Sequence, residues 1–94
     1  MAAYWIAHVQ VTDPDTYAEY AKRATDAIAA HGGEFLARAT RTVWFEGNAR
    51  ARNVVVRFPS MVDAERCYNS AEYQAALQYA RRSSERDLCI VEGN

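Results

Sequence analysis

Side chains that bind metals or carry redox chemistry are scarce in this chain. Its 94 residues include two histidines and two cysteines, Cys67 and Cys89, and none of these four stands at a spacing typical of a metal or redox motif. The sequence therefore predicts no metal site and no cofactor. We expect both cysteines to be reduced packing residues, as in a cytoplasmic protein.

A surplus of one charge and a long apolar run are also missing. Eleven basic and twelve acidic residues leave a net charge of −1, which gives no reason to expect a nucleic acid or an anionic membrane as a partner. No apolar run approaches the roughly eighteen residues of a membrane-spanning helix, and the opening MAAYWIAHVQV lacks the basic segment of a signal peptide. We therefore expect a cytoplasmic protein without membrane contacts.

Alternating and helical hydrophobic patterns are present from the first residues onward. Ala3–Val11 is rich in β-forming residues, and every second residue from Trp5 to Val11 is apolar, which predicts a strand with one buried face. Asp13 and Pro14 are typical of a helix start. His31–Gly33 is typical of a helix end rather than of a phosphate-binding loop, so the first helix is predicted between these two signals.

Further strand signals follow the first helix. Glu34–Arg38 and Thr42–Glu46 are predicted to form a hairpin or a bent pair of strands, and Asn53–Phe58 is predicted as a stronger strand. A short final strand is predicted over Asp87–Glu92.

Two serines ten residues apart raise the question of why a helix should start twice. Ser60 and Ser70 each precede helix-favouring residues, whereas Asn69–Ser70 interrupts the helical pattern. We therefore predict one crossover helix kinked at this dipeptide. The whole order is βαββαβ, which predicts a single α+β domain over residues 1–94 with a ferredoxin-like split sheet and both helices on one face.

The other face of such a sheet has no helices to cover it. Large apolar side chains must lie on it in any register: Trp5 or Tyr4, Val55, Phe35 or Leu36, and Trp44. A monomer would expose this apolar patch to water, whereas two sheets packed face to face would bury it. The pattern therefore predicts a homodimer, unless some of these aromatic residues pack over the helix ends as ordinary core.

Short segments in a fixed order resemble domain-of-unknown-function family 1330 (DUF1330), a member of the dimeric α/β-barrel superfamily. They are Tyr4, VTDPDTYAEY (Val11–Tyr20), HGGEFLAR (His31–Arg38), Glu46–Gly47, RFPS (Arg57–Ser60), YNSAEY (Tyr68–Tyr73) and IVEG (Ile90–Gly93). The resemblance implies a homodimer whose two sheets close into a barrel with an internal pocket, and it implies no particular reaction. The chain departs from the family where Ala39 and Thr40 replace a common glycine and Arg57 replaces a common glutamate.

His8 is the best candidate for a catalytic residue, because histidine titrates near neutrality and can serve as a general base or acid. The alternatives are a structural histidine or one at the dimer interface. Tyr4, Arg38, Arg57 and Trp44 are candidates for substrate binding inside the barrel. Either arginine could anchor a carboxylate or an enolate, or could instead form salt bridges within the dimer.

The face on which each candidate lies follows from strand alternation. The better apolar sets of the first and third strands should face the helices, which leaves Tyr4, His8 and Arg57 on the barrel side. The face of Arg38 stays open, since a bulge in its strand would reverse the assignment.

Two functions fit this set of residues. The first is a homodimeric domain that binds a small organic ligand, acting as a cofactor-independent isomerase or oxygenase of a carbonyl or phenolic compound with His8 as base. The alternative is a non-catalytic binding or interaction module that uses the dimer surface.

Overall fold

A computed structural model describes residues 1–38 and 41–94, so Ala39 and Thr40 lie outside the described part of the chain. Seven elements follow one another along it: β1 (Ala3–Val11), α1 (Pro14–Ala30), β2 (Glu34–Arg38), β3 (Arg52–Phe58), α2 (Met61–Asn69), α3 (Ala71–Ser83) and β4 (Ser84–Glu92). The strands form one sheet in the order β2-β3-β1-β4, and every neighbouring pair is antiparallel. The ferredoxin-like α+β fold predicted from the sequence is confirmed.

The hydrophobic core lies between the helices and one face of this sheet. Trp5 and Phe58 reach it from β1 and β3, Tyr20 from α1 and Tyr73 from α3, and all four are at most 6% exposed. The ring of Trp5 contacts those of Phe58 and Tyr73 at centroid distances of 5.6 and 5.0 Å. Hence the helices cover one face, which we call the helix side, and leave the other, the open face.

The two helix starts predicted at Ser60 and Ser70 are confirmed, and the segment forms two helices rather than one kinked helix. The Ser60 hydroxyl accepts a hydrogen bond from the Asp63 amide at 3.1 Å and begins α2. The Ser70 hydroxyl donates to the Cys67 carbonyl oxygen at 2.7 Å and accepts from the Tyr73 amide at 3.1 Å. One side chain therefore ends α2 and begins α3, so the chain can change direction without leaving those backbone groups unpaired.

Two predictions about strands need correction. The segment Thr42–Glu46 is not a strand, since residues 41–51 contain no helix or strand. Thr42, Trp44 and Arg50 of this segment instead contact residues of the open face. The last strand begins at Ser84 rather than Asp87. The prediction started too late because Ser84–Arg86 is polar, whereas pairing with β1 continues through Val11 and Ser84.

Candidate functional site

The sheet separates the predicted site residues into two groups. Tyr4 and His8 lie on the open face of β1, where they alternate with the buried helix-side residues Trp5 and Val9. Arg57 pairs with Tyr4 across the sheet and is exposed on the same face. Trp44 packs on His8 and so lies on this face too. Four of the five candidates therefore share the open face, and their role in binding or catalysis stays a prediction.

Arg38 lies on the opposite side. The pairing between β2 and β3 shifts by one residue between Phe35 and Ala37, so Arg38 pairs with Val54 and faces the helices. Its Nη2 donates to Thr25 Oγ1 at 3.2 Å, and its guanidinium lies 3.4 Å from the centre of the Phe35 ring. The bulge that the sequence left open is thus present, and it separates Arg38 from His8 by the thickness of the sheet.

A polar network surrounds His8 on the open face. Its Nδ1 lies 2.7 Å from Asn53 Oδ1, and the Asn53 amide nitrogen donates to the Arg50 carbonyl oxygen at 3.0 Å. The Arg50 side chain pairs with Asp87 on β4 at 3.2 Å. The ring of Trp44 meets that of His8 edge-on at 5.2 Å. These contacts hold residues 41–51 against the polar end of the open face.

A second polar cluster, which sequence analysis missed, lies on the helix side. Arg86 pairs with Val9 across the sheet and therefore points beneath the helices. Its Nη2 lies 2.8 Å from the Tyr20 hydroxyl oxygen and 3.4 Å from that of Tyr73, and the two hydroxyl oxygens are 2.7 Å apart. Its Nε is buried and has no hydrogen-bond partner among the described residues. Within residues 1–38 and 41–94, no ion pair involves Arg86.

Burial governs the protonation of this cluster. Burial raises the pKa of Tyr20, and the adjacent Tyr73 raises it further. Burial also raises the pKa of Tyr73, although the positive charge of Arg86 acts in the opposite direction. Both phenols are therefore neutral at physiological pH. Burial alone would lower the pKa of Arg86, but the tyrosine oxygens raise it above its ordinary value, so the guanidinium stays a cation.

Arg86 lines two cavities. The outer one, about 530 Å³, lies between β4 and the helices α2 and α3. Its wall contains apolar, basic and acidic side chains, among them Tyr68, Leu77, Leu88, Ile90, Arg81 and Glu65. The inner one, about 50 Å³, lies between α1 and the sheet and is also lined by Arg38 and Arg52. The helix side thus brings a partly buried cation, two neutral phenols and an apolar wall together.

A signal for Arg86 was available in the sequence. Leu88 and Ile90 alternate as the apolar face of the last strand, and two residues before Leu88 the same face carries Arg86. Because the strand was predicted to begin at Asp87, this arginine was assigned to no face. In the described part of the chain, no three His, Cys, Asp or Glu side chains group together as a metal site would require.

Solved structures with the same fold support this architecture. A protein of unknown function from Rhodopseudomonas palustris matches with a TM-score of 0.80 at 12% identity, over 99% of this chain and 82% of its own. SnoaB, a cofactor-independent oxygenase from Streptomyces nogalater, matches with a TM-score of 0.69 at 13% identity, over 99% and 93%. A dimeric ferredoxin-like protein from Thermobifida fusca matches with a TM-score of 0.59 at 13% identity, over 99% and 92%.

These identities establish a shared fold and leave the activity of this chain open. No curated protein matches the sequence. None of the described helices is long and apolar enough to cross a membrane. The sequence does match the family described as a domain of unknown function, DUF1330, over residues 2–94, so the resemblance is confirmed and the chain belongs to that family.

Proposed function

We propose that the protein is a homodimer that binds a small anionic or acidic organic compound on the helix side, at Arg86. The compound would be a phenol, an enolisable carbonyl compound or a carboxylate. The observation that supports this proposal most is a partly buried guanidinium beneath the helices, whose buried Nε has no hydrogen-bond partner and which forms no ion pair within the described residues.

Partial burial disfavours the charge of Arg86, because it removes part of the water that would solvate the guanidinium. Tyr20 and Tyr73 offer oxygen atoms to one end of the guanidinium but, being neutral, no negative charge. A bound carboxylate, enolate or phenolate would supply that charge and accept the free Nε–H. The site therefore favours the ionised form of an acidic ligand.

The outer cavity has the size and lining for such a ligand. Small-molecule sites enclose about 300–1,000 Å³, mostly apolar with a few polar anchors. The cavity of about 530 Å³ falls in this range, and it places Leu77, Leu88 and Ile90 beside Arg86. An aromatic or aliphatic body would pack against these side chains while its acidic group meets the guanidinium.

We propose further that the bound compound reacts without a cofactor, as in an isomerase or an oxygenase. Both reactions pass through an enolate or phenolate, and Arg86 with its two phenols would stabilise that charge where it forms. The likeness to SnoaB, a cofactor-independent oxygenase, supports the proposal at the level of the fold. We place the protein in the cytoplasm, in keeping with its free cysteines Cys67 and Cys89.

The binding experiment compares two probes that differ in charge. We expect 4-hydroxybenzoate to bind more tightly than uncharged 4-hydroxybenzyl alcohol in calorimetric titrations, because only the former carries a carboxylate. Arg86→Met should abolish the difference, whereas Arg81→Met, which changes another arginine of the same cavity, should retain most of it. Equal affinities in the wild type would contradict the proposed preference for a negatively charged ligand, and absence of binding would favour the interaction module.

The homodimer is proposed from the open face. Tyr4, Ile6 and Val55 lie there without a covering helix, and Val91 on β4 is 49% exposed. Light scattering should give about twice the chain mass of 10.6 kDa. Val91→Glu should shift the protein towards monomer, because it places a charge in the buried interface. Val62→Glu, on the outer side of α2 at a similar 54% exposure, is the matched control and should leave the dimer intact.

A further inference from the structure

The hydrogen bonds that end at His8 determine which nitrogen of its ring carries the proton. The Arg50 carbonyl oxygen can only accept, so the Asn53 atom bonded to it must be the amide nitrogen. The other end of the Asn53 side chain, directed at His8 Nδ1, is therefore the carbonyl oxygen, which also only accepts. Hence Nδ1 carries a hydrogen, and in the neutral ring Nε2 has a free lone pair.

We propose that His8 Nε2 is a proton acceptor on the open face for the O–H group of a small phenol or enol, and that Asn53 is its positioning residue. This site lies across the sheet from Arg86 and shares no side chain with it. The proposal therefore goes beyond the helix-side function and does not depend on it. In the proposed dimer, the site would lie between the two sheets.

The atoms around His8 suit the product of this proton transfer. The ligand O–H bond breaks, the hydrogen bonds to Nε2, and the electron pair stays on the ligand oxygen. Trp44 Nε1 and Arg50 Nη1 are buried donors without partners in the described structure. Both donors belong to side chains of the network around His8, so a ligand oxyanion that reached them would accept from them.

Charged groups of both signs lie on the open face near His8. The Asp87 carboxylate pairs with Arg50, and Asp87 is the residue opposite His8 on β4. Arg57 lies on the same face farther along β3, opposite Tyr4. Asn53 can keep its hydrogen bond to Nδ1–H in both charge states of the ring, so the side chain need not move during the transfer.

The first test measures the tautomer directly by side-chain ¹⁵N NMR. In the wild type, His8 should show a protonated Nδ1 and an unprotonated Nε2, and acid titration should add the proton at Nε2. His31 is the internal reference, because its Nδ1 lies 2.8 Å from the Ala27 carbonyl oxygen and must also carry a hydrogen. A wild-type His8 protonated at Nε2 in its neutral form would overturn the proposal, even if no variant folded.

Variants then test whether Asn53 sets the tautomer. Asn53→Ala should give His8 a mixture of both tautomers and leave His31 unchanged. The control is Asn69→Ala, which removes an exposed amide at the end of α2 that bonds only to the Glu65 carbonyl oxygen. An unchanged His8 tautomer in folded Asn53→Ala would show that Asn53 is not a positioning residue.

The acceptor function is tested with 4-nitrophenol, whose phenolate is coloured. At a pH below the pKa of the free phenol, the wild-type protein should increase the phenolate absorbance. His8→Gln should lose the part of this increase that arises on the open face, Arg86→Met should lose only the part that arises on the helix side, and the double variant should lose all of it. No increase in the wild type, or an increase lost in Arg86→Met but kept in His8→Gln, would overturn the open-face site; the second result would instead support the helix-side site.

Discussion

Raising the pH should unfold the protein through the tyrosine pair beneath its helices. Tyr20 is 6% exposed and Tyr73 is fully buried, and burial raises the pKa of both above the ordinary value of 10.0. In the unfolded chain both phenols ionise near pH 10, whereas the folded chain retains their protons. The folded state then binds more protons than the unfolded state, so the free energy of unfolding falls as the pH rises above that value.

The size of the loss follows from proton linkage. One pH unit above the unfolded pKa, each tyrosine that stays neutral in the folded state removes about 1.4 kcal/mol, so the pair removes at most about 3 kcal/mol. Burial also raises the pKa of the Cys67 thiol from 9.0 to about 11. This thiol therefore lowers the free energy of unfolding from about pH 9 upward, one pH unit before the tyrosines do. Since domains of this size are stable by about 5–15 kcal/mol, the combined loss should be large by pH 11.

Urea unfolding between pH 8 and pH 11 measures this loss. Tyr20→Phe should reduce the slope of unfolding free energy against pH by the share of one ionising tyrosine. Cys67→Ala should remove the decrease in unfolding free energy that begins near pH 9. Absorbance titration of the phenolates gives an independent readout, in which two of the six tyrosines should ionise only on unfolding. A free energy that stays constant to pH 11, or six tyrosines that ionise in the folded protein near pH 10, would refute the reasoning.

Three other changes have definite expected outcomes. Ser60→Ala should destabilise the fold by about 1 kcal/mol as a lost helix cap. Ser70→Ala should destabilise the fold more, because the Ser70 hydroxyl also bonds the Cys67 carbonyl oxygen. Thermal melts should show the melting temperature falling by about 4–8 °C per kcal/mol. A Ser70→Ala variant as stable as the wild type would contradict the two-helix structure. Gly33→Ala should cost about 1–3 kcal/mol, because the added Cβ would overlap Ile28 Cγ2, and urea midpoints should reveal it.

The sequence predicts the fold well because its strong signals are local. Asp13 and Pro14 begin α1 at the expected residues, and the side chain of Asp13 accepts from the Thr16 amide at 3.3 Å. Ser70 is equally informative, since a hydroxyl can satisfy backbone groups on both sides of a kink. These features require no knowledge of distant contacts.

The prediction fails where distant contacts decide the structure. Thr42–Glu46 has strand-forming residues, yet Thr42 bonds Asn53 and Trp44 packs on His8. The bulge that turns Arg38 towards the helices depends on its register with β3, which periodicity within β2 does not reveal. Tertiary pairing therefore overrides the local pattern at these positions.

The sheet itself explains why the chemistry of this chain was hard to predict from its order of residues. Successive residues of a strand face opposite sides, so residues close in sequence belong to different sites. On β4, Arg86 meets Tyr20 beneath the helices, and its neighbour Asp87 meets Arg50 on the open face. One strand thereby contributes a cation to the proposed anion site and an acid to a histidine network. A substitution at either residue should therefore affect one face and spare the other, which makes the two proposed sites separable by experiment.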